Sequence, residues 1–162
     1  MGRRPPDIFA KPRLTANQLR HVSERRFDDA LCLFKSGDRA RFNGAMYMAG
    51  FVVECLLKAL LLDRHPNLQT KVDPGKLSAS DRKIYGLLFS HDLELMLDAL
   101  PEIVAKLEDL KDSYGNSVWQ RFIGICGEWT VFARYSTNVA ESRTAEGFLD
   151  TIREVKKWLK EL

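Results

Sequence analysis

Residues with ready-made chemistry are scarce in this chain of 162 residues, which has three histidines, His21, His65 and His91, and three cysteines, Cys32, Cys55 and Cys126. General acid-base catalysis near neutral pH therefore has few of its usual agents. The cysteines are odd in number and widely separated, with no CxxC and no Cys/His ligand spacing, which argues against a disulfide framework and against a zinc site. Set among apolar neighbours, they read as reduced core thiols of a cytoplasmic protein. No Gly-rich phosphate loop, HExxH or GxSxG elbow occurs, so no metal or other cofactor is implied. No serine, histidine and aspartate stand out as a triad.

Period-two alternation is missing as well, and with it the signature of half-buried strands. There is no internal repeat and no low-complexity tract. The opening, MGRRPPDIFAKPR, has no apolar stretch of the kind an export signal needs, and Pro6 stands where a myristoylation motif has Ser or Thr.

What is present suits a single all-α domain. Hydrophobic residues make up 45% and charged residues 29%, an ordinary globular balance for a chain long enough to bury roughly 70% of its unfolded surface. The net charge is only +3, but it is unevenly spread. Residues 1 to 41 hold ten Lys/Arg against five acids, whereas 92 to 112 hold seven acids against two Lys. Such asymmetry describes either two solvated faces of opposite sign or a basic third that meets nucleic acid or an acidic protein. Three prolines within residues 1 to 13 predict a mobile basic arm ahead of one helical domain over 14 to 162.

The most telling stretch is Ala45 to Leu62, AMYMAGFVVECLLKALLL, an apolar run with Glu54 and Lys58 near its middle. A bilayer-spanning helix would lose roughly 2.5 to 3.5 kcal/mol for each such charge, so the run reads as the buried spine of a soluble bundle, without a membrane. Four residues apart, Glu54 and Lys58 share one helix face and can pair there. This is either a structural ion pair or the floor of a polar pocket shared with His91 and Arg134. Ala45, Ala49 and Gly50 offer small positions for a close neighbour, within the fold or across a dimer.

The remaining helices are placed by their caps. The Thr15-x-x-Gln18 capping box opens a helix that Gly37 ends, and the central helix covers about 41 to 63. After a connection over 64 to 80, a short helix spans 81 to 89. Ser90 caps a second over about 91 to 99, and Pro101 starts a third that reaches about 112. Ser117-x-x-Gln120 opens a helix to about Tyr135, with Trp119, Phe122, Cys126, Trp129 and Ala133 as a packing seam. Thr144 caps the final helix. The tryptophans, Trp158 included, read as core or interface residues rather than as platforms for bases.

Taken in order, several of these pieces resemble the HEPN domain family: Phe27-Asp28-Asp29-Ala30-Leu31, the stretch Ala49 to Leu60 with its Glu-x3-Lys, Ser90-His91-Asp92-Leu93, Ala133-Arg134-Tyr135-Ser136, and Thr144-Ala145-Glu146. The resemblance runs from about 27 to 160. It implies a bundle of four to five helices that pairs as a homodimer around a cleft on the twofold axis. It also implies a metal-independent endoribonuclease, or a toxin or defence component paired with a small nucleotidyltransferase. The family's ribonuclease motif is Arg, four to six residues, then His. Here Arg134 and Tyr135 are in place, but no histidine follows, and Glu141 stands at the last of the allowed spacings.

Three functions remain open on this reading. The first is a non-catalytic HEPN-like homodimer that binds a nucleotidyltransferase-type partner protein, RNA or a nucleotide. The second is a ribonuclease toxin in which Arg134 steadies phosphate charge and Glu141 replaces the missing base. The third is a purely structural dimerisation module. The polar-pocket residues are Glu54, Lys58, His91, Arg134 and Tyr135, and the catalytic candidates are Arg134 and Glu141.

Overall fold

Helix α1, Ala16–Lys35, starts where the Thr15 side chain accepts from the Gln18 amide while the Gln18 side chain accepts from the Thr15 amide. This reciprocal box satisfies two backbone donors that the first turn leaves over. Its chain direction reverses at Gly37, whose φ of 68° lies in the left-handed region open to glycine. Helix α2, Phe42–Arg64, follows after one 3-10 turn, Arg39–Arg41. The computed structural model describes residues 14–69, 73–109, 117–129 and 136–161. The expected arm over 1 to 13 lies outside them.

The connection after α2 holds two further 3-10 turns, Pro66–Gln69 and Pro74–Lys76. Then come α3 (Ala79–Leu87), α4 (Leu93–Asp98), α5 (Pro101–Glu108), α6 (Val118–Glu128) and α7 (Ser142–Lys160). The fold is all-α, with no strand among the described residues. Among the described residues there are seven α-helices, the short α3, α4 and α5 being the three that the caps and Pro101 marked off in the sequence, so the count exceeds the four to five main helices expected.

Several boundaries differ from expectation. Helix α3 begins two residues early because the Ser78 side chain caps it, accepting from the Asp81 amide. Helix α4 is capped by Asp92, not Ser90, whose hydroxyl instead accepts from the Asp92 amide. Helix α6 stops at Glu128, and Trp129 takes an extended conformation. The C-terminal part of the expected seam, with Ala133, lies outside the described residues. Helix α7 begins at Ser142, so Thr144 falls inside its first turn and Glu141 holds the N-cap position without a capping side-chain bond.

Helix α2 is the axis of the bundle. It packs against α1 on one side and α7 on another, with α4 on a third, while α5 and α6 join α4 and α7 around it. From Val52 to Leu62 every residue of α2 is buried. By length and composition the segment could cross a membrane, but 78% of its apolar window is buried inside the fold. Burying each Leu or Val in such a core contributes about 1.5 to 3 kcal/mol before entropy is subtracted.

Across the α1–α7 seam, Glu24 accepts from Lys156 and Lys160 at 2.5 and 2.6 Å. Burial raises the Glu24 pKa, but the two lysines outweigh it and hold the carboxyl below its ordinary value. Lys156 also sits 4.6 Å from the centre of the Phe27 ring, a cation–π contact that fixes α7 on α1.

Of the thiols, Cys55 and Cys126 are buried, whereas Cys32 is exposed. The expectation of three core thiols fails at Cys32, which lies on the outer face of α1 while Ala30 on the same turn is buried.

Candidate functional site

The small positions of α2 admit a neighbour from within the chain. A methyl group added at Gly50 would run into the Trp129 indole, so glycine is what lets that ring seat on the helix. The indole N–H donates to the Tyr47 carbonyl at 3.2 Å. Phe51 packs edge-on against both rings, 4.9 Å from Tyr47 and 5.1 Å from Trp129 between centroids. Trp129 is buried, Trp119 and Trp158 are half-buried, and all three belong to the hydrophobic packing.

One turn beyond Phe51, Lys58 donates to Glu54 Oε1 at 2.7 Å, with both side chains no more than 7% exposed. Desolvating two charges costs several kcal/mol, and the close contact offsets part of it. The second carboxylate oxygen is used too: Glu54 Oε2 lies 3.0 Å from His91 Nδ1. His91 reaches it from the segment between α3 and α4, where Ser90 and Asp92 on either side are tied into the α4 cap. Its ring stands edge-on to Phe51, 6.1 Å away, and 52% of its side chain is exposed. A surface imidazole is thus anchored to a buried carboxylate, which is in turn anchored to a buried ammonium.

Of the five residues expected to form the pocket, the structure joins Glu54, Lys58 and His91. Arg134 and Tyr135 lie outside the described residues. Of the described residues before and after them, Trp129 seats at Gly50, and Ser136 lines a hollow of about 320 Å³ together with Asn43 and Met46. Asn43 holds this loop by accepting from the Ala140 amide at 2.7 Å and donating to the Asn138 carbonyl. Glu141, the other catalytic candidate, is exposed at the start of α7 and makes no bond to Glu54, Lys58 or His91.

A second histidine–carboxylate pair was not foreseen. His65 Nδ1 lies 3.0 Å from Asp81 Oδ1, and Asp81 Oδ2 accepts from Ser78 Oγ at 3.0 Å and from Asn67 Nδ2 at 3.1 Å. The contact with His65 leads, followed by that with Ser78, in holding the Asp81 carboxyl below its ordinary value. Ser78-x-x-Asp81 is a capping pattern that the sequence carried in plain form, but nothing in the spacing of His65 ties it there.

Two thiols are shielded. Burial first, and then the nearby Glu54 charge, pushes Cys55 up to about 11, while burial pushes Cys126 up to about 12. Neither serves as a ready nucleophile, since the thiolate is the reactive form. Among the described residues, no group of three or more His, Cys, Asp or Glu could hold a metal ion.

Comparison with known protein families, with curated proteins and with solved structures finds no match to this chain.

Proposed function

We propose that this chain is a HEPN-like module that forms a homodimer in the cytoplasm and binds RNA or a nucleotide without strong catalysis. The observation that carries the reading is His91, an exposed imidazole fixed at one edge to the buried Glu54–Lys58 pair. A buried ion pair is weak evidence for stability. Here its carboxylate also orients a surface group, which is a use that an apolar pair would not provide. Phe51, half-buried and edge-on to His91, adds an aromatic margin of the kind on which bases stack.

The reading is tested with purified protein and single-stranded RNA, by fluorescence anisotropy for binding and by gel for cleavage in the presence of a metal chelator. Binding with little or no cleavage is expected. Light scattering at micromolar concentration should give the mass of a dimer, and a monomer counts against that part of the proposal. A nucleotidyltransferase-type protein partner is the outcome to pursue if RNA and nucleotides both fail to bind.

One observation favours a second reading, the metal-independent endoribonuclease. Glu54 and His91 together form a carboxylate-oriented imidazole, the kind of base that takes a proton from a hydroxyl. Robust cleavage lost in His91→Ala, with folding intact, would make this the function, and cleavage lost instead in Glu141→Gln would place the base at Glu141.

A further inference from the structure

Glu54 and His91 together determine which proton the imidazole carries. An ionised carboxylate only accepts hydrogen bonds, and Lys58 at 2.7 Å from Oε1 makes the ionised form of Glu54 the one that fits. The 3.0 Å contact at Oε2 then requires a hydrogen on His91 Nδ1. With one ring hydrogen in the neutral imidazole, Nε2 is left as an acceptor. Among the described residues Nε2 has no partner, and the ring is half exposed. Among those residues, every buried side-chain nitrogen and oxygen has a hydrogen-bond partner. An open acceptor at this surface therefore contrasts with the satisfied interior beneath it.

We propose that Glu54 is a positioning residue that holds His91 as the Nδ1–H tautomer, so that Nε2 accepts a hydrogen bond from the ligand. Resting on the RNA or nucleotide reading above, this names the part of the ligand that meets His91: a donor N–H or O–H, such as the exocyclic amine or imino N–H of a base or a ribose hydroxyl. A phosphate oxygen, which only accepts, does not fit an unprotonated Nε2. Lys58 acts one step further back, by occupying Oε1 and leaving Oε2 to His91.

Long-range nitrogen–proton correlation spectra of the full chain at neutral pH read the tautomer directly. The expected pattern for His91 is a protonated Nδ1 and a bare Nε2. In Glu54→Gln, whose amide can donate as well as accept, that preference should fall. Mixed tautomers, an Nε2–H form or a doubly protonated ring in the wild type would overturn the proposal, and this spectrum needs no variant to fold. Titration with a short single-stranded RNA of mixed sequence should then shift Nε2 more than Nδ1, and His91→Ala should weaken binding roughly five- to tenfold, the worth of about one hydrogen bond. If the tautomer is as stated but the RNA neither shifts Nε2 nor binds, the positioning role stands and the RNA reading fails. If RNA binds without moving Nε2, the ligand contact assigned to His91 is wrong.

Discussion

Among the described residues, two histidine–carboxylate pairs share the same 3.0 Å contact at Nδ1, yet they are built for different ends. At His65–Asp81 both side chains are partly exposed, at 26% and 23%, and the carboxylate also serves Ser78 and Asn67. Its partners all lie in the connection and first turn of α3, so the pair is a latch that closes a local loop. At His91–Glu54 the carboxylate is 6% exposed and the imidazole 52%, and the third member is a buried lysine on the central helix. The difference lies in the rest of each carboxylate's bonds. Asp81 gathers a loop, whereas Glu54 passes order from the core out to one surface ring.

The largest expected effect breaks the deep pair. Glu54→Leu leaves the Lys58 ammonium buried without its partner, and should cost about 3–5 kcal/mol in urea denaturation. Lys58→Met should cost less, because Glu54 keeps His91 as a partner. Asp81→Asn should cost less than Glu54→Leu. Equal losses at Glu54 and Asp81 would erase the distinction between the two pairs.

Next in size is Gly50→Ala. The added methyl occupies the space of the Trp129 indole, so overpacking should cost about 1–3 kcal/mol and shift the tryptophan fluorescence as the ring is displaced. An unchanged spectrum and stability would mean that the ring yields freely.

Two pH responses sharpen the picture. Between pH 9 and 11 the unfolded chain gives up thiol protons that Cys55 and Cys126 keep when folded, since their ordinary value is 9.0 and their native values are about 11 and 12. Stability should fall over that window by up to about 1.4 kcal/mol per pH unit for each thiol. Replacing both by Ala should flatten the slope. In acid the sign is reversed. Asp81 has a depressed native pKa, so its contribution is present above its ordinary value of 3.8 and lost as pH falls through the lower native one. The stability gap between wild type and Asp81→Asn should therefore close in that range, and a gap that stays constant would deny the shift.

The parts legible in the sequence were those governed by short spacing. Thr15 with Gln18 and Glu54 with Lys58 lie three and four residues apart, and both interactions formed as their spacing implied. Gly37 ended α1 as expected. Boundaries went wrong where a tertiary contact outranked local pattern: the α6 stripe continues in sequence to Ala133, but the helix stops where Trp129 turns onto Gly50. Grouping His91 with Glu54 was legible only as a suggestion, since 37 residues separate them and no periodicity spans that distance. His65, Asn67 and Asp81 were missed for the same reason, lying in a polar stretch that reads simply as a connection.

Under the proposed function His91 is the working histidine and His65 a structural one. The most direct test is the affinity of the wild type, His91→Ala and His65→Ala for the same single-stranded RNA, with native folding checked by circular dichroism. Roughly five- to tenfold weaker binding is expected in His91→Ala alone, the worth of one hydrogen bond. Equal loss in both variants, or binding indifferent to His91, would contradict it.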